Sequence, residues 1–276
     1  FFVIVLKWGV AGVAVATVAA QGVAFILSVI YLNRSHQLIN FSLLRIRFDK
    51  GIFIKSLKIG IPSGLQHTFV SLGMLALMTI VNTFGTDTIA AYTVAGRLES
   101  FAMLPAMNFS MAVSVFVGQN LGAGAYARVR KGYVAGMKMT LLVSLVVTLV
   151  FVLAGKYMVA LFNPDTNVIR IGYEYILIVS PFYLLFSFMF INNGLLRGAG
   201  ATLIPMFITL FSLWVLRVPI SYFFSSFMGT KGIWWGIPIA WFFGAVSSYI
   251  YYKTGHWKRY VVVKHDVSVE SLPPET

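Results

Sequence analysis

Cysteine is absent from all 276 residues. That excludes a disulfide framework, a thiolate metal site and a cysteine nucleophile, and leaves the redox compartment open. Charge is also scarce. Only 11% of residues are Asp, Glu, Lys or Arg, against about one quarter in soluble domains. With 59% hydrophobic residues and a mean hydropathy of +0.85, the composition excludes an ordinary soluble domain. Carboxylates are the scarcest charge, 8 against 21 Lys and Arg, for a formal charge of +13. A basic nucleic-acid surface is not the reading, because the cations lie between apolar runs rather than on a soluble face. No charged leader with a cleavage site precedes the first apolar stretch and the chain opens on Phe1 rather than Met, so an N-terminally truncated fragment is expected.

What is present is long apolar runs. A hydrocarbon core needs about 20 apolar residues in a helix, and seven stretches qualify: 9–32, 60–83, 89–117, 133–154, 169–195, 202–228 and 232–252. Turn-forming clusters separate them, such as Gly85-Thr86-Asp87, Asn163-Pro164-Asp165 and Gly229-Thr230-Lys231, as helical hairpins require. The expected fold class is therefore an all-α integral membrane protein with seven transmembrane helices. The lipid bilayer is its first partner.

Cations orient the set, because cytoplasmic loops retain Lys and Arg. Fourteen fall on one side: Arg34, Arg45, Arg47, Lys50, Lys55, Lys58, Arg128, Arg130, Lys131, Arg197, Lys253, Lys258, Arg259 and Lys264. Three fall on the other, Lys7, Lys156 and Lys231. The expectation is a multi-pass cell (inner or plasma) membrane protein with a cytoplasmic C-terminus. The linker 33–59 mixes its cations with Leu43, Leu44, Ile46, Phe48, Ile52 and Phe53, as an amphipathic interfacial helix does. Residues 253–276 are expected to be a cytoplasmic tail, polar and disordered from Val267.

Polar residues inside the spans need a reason. Ser63, His67, Ser71, Met74, Met78 and Asn82 fall at offsets of 0, 4, 8, 11, 15 and 19, within an arc of about 100° on a helix. Such a stripe faces a cavity or packs helices through small polar groups. No metal is expected, since His67 has no second ligand at helical spacing. In the third span Thr93, Arg97, Ser100, Met107 and Met111 share a face, with Pro105 placed to kink the helix. Methionine suits a site that accepts many shapes, or simply fills core gaps. Arg97 and Glu99 are the clearest buried-charge or coupling candidates. Two positions apart they do not face each other, so each needs a partner elsewhere. Arg170 and Glu174 have the spacing of an i,i+4 ion pair. Arg217, beside Pro219, can snorkel outward or meet a carbonyl that the proline frees. Asn192 and Asn193 either bond across helices or line a path. Gly118/Gly122, Gly132/Gly136, Gly194/Gly198 and Gly232/Gly236 have close-packing spacing.

Several stretches resemble the multidrug and toxic compound extrusion (MATE) family. They are Val117-Gly118-Gln119-Asn120-Leu121-Gly122-Ala123-Gly124 with Arg128-Val129-Arg130, Leu196-Arg197-Gly198-Ala199-Gly200-Ala201-Thr202 with Pro205, Ile59-Gly60-Ile61-Pro62-Ser63-Gly64, Arg217-Val218-Pro219, and Gly232-Ile233-Trp234-Trp235-Gly236. Gly118, Gln119, Asn120, Gly122, Arg197 and Gly198 are the cytoplasmic motif positions. The resemblance implies a twelve-helix fold of two pseudo-symmetric bundles. Residues 1–32 would then be the end of the N-terminal bundle, with its last helix at 9–32. Residues 33–59 would be the linker and 60–252 the six-helix C-terminal bundle, whose partner is the missing N-terminal bundle of the same protein.

The resemblance also implies secondary active antiport, exporting amphipathic or cationic drugs in exchange for protons or sodium. No cofactor and no catalytic residue is implied. Ser63, His67, Ser71, Met74, Met78, Asn82, Met107 and Met111 are the candidate cavity residues. Some family members carry acidic residues at positions matching 70 and 186. Here they are Val70 and Phe186, so no coupling carboxylate transfers there. A flippase for lipid-linked saccharides of related fold is the alternative, and it calls for more cavity cations than Arg97 and Arg217 supply. A retinal protein lacks its lysine in the last span. An intramembrane enzyme lacks paired aspartates, a Ser/His set or zinc ligands.

Overall fold

A computed structural model describes residues 2–3, 5–35 and 48–260, apart from the Ser35 side chain. The amphipathic stretch 36–47 and the tail beyond Tyr260, with Arg45, Arg47 and Lys264, lie outside the described residues. Two compact units divide the chain, Phe1–Ile54 and Lys55–Thr276.

The first unit carries helix α1, Gly9–Ser35. Its side chains are exposed almost all round and apolar all round, the pattern of a helix whose solvent is lipid or another helix. Helix α2, Lys50–Asn82, starts in this unit and continues into the second. Asp49 opens it by accepting from the Ile52 amide at 3.0 Å, satisfying one of the free donors of the first turn. The helix thus begins ten residues before the apolar run. Lys55 and Lys58 extend it rather than precede it, because lysine is a good helix former and hydropathy reports immersion rather than helicity.

In the second unit follow α3 (Thr86–Gly122), α4 (Tyr126–Phe162), α5 (Thr166–Val179), α6 (Tyr183–Gly198), α7 (Leu203–Leu210), α8 (Val218–Met228) and α9 (Thr230–Lys253). A 3-10 turn at Ser180–Phe182 joins α5 to α6, and a π-helical segment Phe211–Arg217 joins α7 to α8. Each composite makes one span, so among the described residues seven helical runs are long and apolar enough to cross a membrane. The chain is a multi-pass membrane protein. Prolines mark the irregular joints. Pro181 lies in the 3-10 turn and Pro219 follows the π segment, where a missing N–H and a bulky ring break the regular ladder. The tight connectors use the predicted turn glycines: Gly85 at φ 91° and Gly229 at φ 61°, a backbone region costly for other residues.

Two apolar clusters fill the interior. One gathers Val81, Ala91, Ala95, Tyr175, Ile176, Val179, Ile233, Trp234 and Ile237. The other gathers Val117, Leu121, Val129, Tyr133, Ile191, Leu195, Leu196 and Trp257. Lipid is as apolar as these side chains, so close contact and interhelical hydrogen bonds hold the bundle rather than transfer from water. Gly194 and Gly198 of α6 permit that approach, since a Cβ at either would collide with the carbonyl oxygens of Ser110 and Ser114 on α3. Across other contacts, Thr148 donates to Ser180 O at 2.9 Å, Tyr133 to Asn192 Oδ1 at 2.6 Å, Asn192 Nδ2 to Ser248 Oγ at 3.2 Å and Ser221 to Ile233 O at 3.0 Å. Ser144 and Ser187 share a further hydrogen bond. Each is worth about 0.6 kcal/mol in a bilayer. The outer face of α4 shows Leu142, Leu145, Val146, Leu149, Val150 and Leu153, a stripe at helical spacing suited to acyl chains.

Candidate functional site

Helices α2 and α3 share the turn Thr83–Gly85 but keep different neighbours. α3 packs on α4, α5 and α6. α2 leans on α7 and the π-helical segment: Gln66 Nε2 donates to Thr209 Oγ1 at 2.7 Å, Trp214 Nε1 donates to Phe69 O at 3.1 Å, and the missing Cβ of Gly73 makes room for Leu213. Only the end of α2, with Met78, Ile80 and Val81, joins the larger core.

The α2 stripe is therefore mostly on the surface of the unit. His67, Ser71, Met74 and Asn82 are exposed, while Ser63 and Met78 are half-buried. Ser63 and Ser71 turn their hydroxyls back to their own helix, onto Ile59 O at 2.9 Å and His67 O at 3.1 Å, which leaves lone pairs but no free proton. On α3, Thr93, Arg97, Ser100, Met107 and Met111 are likewise exposed as one face, with Met111 at 65%.

Arg97, expected in the interior with Glu99, is instead exposed and makes no ion pair with any described residue. The reason is geometric. Two helical positions differ by about 200°, and the Glu99 side packs on α5. There Tyr175 donates its phenol proton to Glu99 Oε2 at 2.5 Å. Tyr175 also meets Trp234 edge-on at 5.0 Å, and Tyr92 stacks on Trp234 at 5.6 Å. Among the described residues the buried cation is Arg217, only 9% exposed, which makes no ion pair with the Glu99 carboxyl. It does not snorkel outward, because its position at the end of the π segment packs against α9. Its Nε, the Tyr183 hydroxyl and the Trp234 indole N–H are buried without partners among the described residues. Sequence reasoning missed Tyr175, Tyr92, Tyr183 and Gln66. The three tyrosines left the same trace, a hydroxyl-bearing residue in an apolar run, which does not say which of them meets Glu99.

At the far end of α3 the motif segments meet. A Cβ on Gly118 would sit 3.3 Å from Gly198 O, and Arg197 Nη2 donates to Ser110 Oγ at 3.0 Å while that hydroxyl donates to Phe190 O at 2.6 Å. Asn120 is buried and donates to Phe116 O at 2.8 Å, and Gln119 is exposed. A Cβ on Gly122 would meet nothing within 4 Å. Asn192 bonds across to α4 and α9, whereas Asn193 Oδ1 is buried without a partner among the described residues. The Arg170–Glu174 pair forms at 3.8 Å and is shared with Lys231 at 3.8 Å. At this exposure it contributes a few tenths of a kcal/mol.

The MatE family model matches residues 62–223. The chain belongs to the MatE family. It is 35% identical over 258 residues to "Probable multidrug resistance protein YpnP" of Bacillus subtilis strain 168, covering 93% of this chain and 57% of that protein. A Thermotoga maritima relative, "Probable multidrug resistance protein NorM", is 26% identical over 263 residues, 94% of this chain and 56% of its own. The fold agrees with that of a point mutant of the Vibrio cholerae MATE transporter VcmN at a TM-score of 0.84 and 19% identity, covering 92% of this chain and 57% of that one. The chain thus spans a little over half the length of the MatE relatives it matches.

Proposed function

We propose that this MatE chain is the C-terminal half of a secondary antiporter that exports amphipathic or cationic drugs in exchange for protons or sodium ions. Family membership carries the reading, and the exposed faces of α2 and α3 support it. In this reading residues 60–252 are the C-terminal bundle, α1 is the last helix of the other bundle, 33–59 is the linker, and 253–276 is a cytoplasmic tail. His67, Ser71, Met74, Met107 and Met111 line the cavity between bundles together with Ser63, Met78 and Asn82. Methionines there adapt to varied cargo because three rotatable bonds and a polarizable sulfur impose little shape. Among the described residues Arg97 is the one cation on the α3 face, too little positive charge for phosphate-bearing saccharide carriers, which favours drug over lipid-linked cargo.

Alternating access rocks two bundles about a midplane site, and coupling needs a group whose occupancy favours one state over the other. The bond from Tyr175 supports reading Glu99 as a structural partner in this bundle rather than the coupling group. The test is efflux of a fluorescent hydrophobic cation from vesicles under an imposed pH or sodium gradient. The chain alone should bind the dye weakly and move none, and co-expression with its complementary bundle should restore gradient-driven efflux. His67→Ala and Met111→Ala should then change the drug profile at unchanged abundance. Gradient-driven efflux by the chain alone refutes the half-transporter reading. Variants that lower only abundance refute the cavity.

A further inference from the structure

We propose that the end of the bundle where residues 55–59 of α2 adjoin the turn after α9 holds the headgroup of an anionic phospholipid. Two adjoining cavities open there. One, of about 410 Å³, is bounded by Lys55, Lys58, Ile59 and Leu203, and the other, of about 530 Å³, by Tyr251, His256 and Arg259. Ile204 and Tyr260 line both. Among the described residues no carboxylate lines either cavity. Three full positive charges and one imidazole therefore line the two cavities, and no described lining residue neutralises them.

The backbone that carries the cations is anchored. The 3-10 turn His256–Tyr260 carries three of the lining residues, His256, Arg259 and Tyr260, and is pinned by Trp257, which is 5% exposed, fills the second core and donates from Nε1 to Tyr252 O at 3.1 Å. On the other side Thr202 Oγ1 donates to Lys58 O at 3.5 Å, tying the α6–α7 connector to α2. Next to the cations the surface is apolar and open: Ile59 is 40% exposed, Leu203 50% and Tyr260 48%. A free phosphate has no use for that apolar margin, whereas a phosphodiester followed by acyl chains fits both halves at once. Charge of this kind between spans at the cytoplasmic face selects anionic headgroups. That side is the one the cation count assigns to the cytoplasm, and lipid binding does not depend on drug transport.

The experiment titrates the full chain in detergent with phosphatidylglycerol, phosphatidylcholine or inorganic phosphate, reading bound lipid by native mass spectrometry. Phosphatidylglycerol should bind at least tenfold more tightly than phosphatidylcholine. Each cation removed should cost about fivefold, so Lys55→Gln/Lys58→Gln/Arg259→Gln should lose well over tenfold. Arg128→Gln/Arg130→Gln/Lys131→Gln removes the same charge at the start of α4 and should stay within twofold of the parent. Should the first triple variant fail to fold, Arg259→Gln alone, at an exposed position, carries the fivefold expectation. Equal binding of the two lipids, equal loss in the control variant, or displacement of phosphatidylglycerol by equimolar inorganic phosphate overturns the proposal.

Discussion

Tyr175→Phe isolates one interaction of the buried cluster. The substitution keeps the ring, which is 1% exposed and packed on Trp234, so it opens no cavity and leaves the aromatic contacts intact. It removes only the hydroxyl that donates to Glu99 Oε2 at 2.5 Å. A hydrogen bond contributes about 0.5–1.5 kcal/mol net, and a buried acceptor left unsatisfied adds a desolvation cost of about 1–3 kcal/mol. The expected loss is about 1.5–2 kcal/mol. Glu99→Gln retains a carbonyl acceptor for the phenol and should cost less, about 1 kcal/mol. The double variant should then lose less than the sum, with a coupling of about 1 kcal/mol, as contacting residues do. Denaturant unfolding in mild detergent, followed by the fluorescence of fully buried Trp234 and its neighbours, measures all three. A Tyr175→Phe stability within about 0.5 kcal/mol of the parent, together with strict additivity in the double variant, refutes a stabilising Tyr175–Glu99 bond.

Absence of native cysteine makes single-cysteine topology mapping clean. With fourteen loop cations on one side against three on the other, Lys50→Cys and Lys131→Cys should resist an impermeant thiol reagent in intact cells while Asp87→Cys and Asn167→Cys react, and the reverse pattern overturns the orientation. Gly194→Ala should destabilise by about 1–3 kcal/mol, because its methyl meets the Ser110 carbonyl on α3. Gly122→Ala, with open space at its Cβ, should be neutral or stabilising by up to about 1 kcal/mol. Equal thermal shifts for the two variants end the close-packing account of α6 against α3.

Span number and approximate limits were legible without any structure, because membrane immersion depends on the apolarity of about twenty consecutive residues and is a local property. The same holds for Gly85 and Gly229 at turns, where a left-handed backbone narrows the choice of residue, and for the Arg170–Glu174 pair, whose partners lie one turn apart. The family resemblance was also legible, since its motifs are contiguous words in the chain. Tertiary structure decided what no window contains. Periodicity placed Ser63 to Asn82 and Thr93 to Met111 on common faces, but only packing shows that α2 turns to α7 while α3 turns to α4, α5 and α6, leaving both faces open. A buried charge is defined by its surroundings: Arg97 and Arg217 both sit in apolar runs, yet the first lies on the open side of its helix and the second is enclosed against α9. Tyr175 reaches Glu99 across 76 residues of chain, and Gly118 reaches Gly198 across another helix pair. Such contacts depend on the azimuth and depth at which separate helices meet, which are set by the whole set of side chains in the bundle rather than by any one segment.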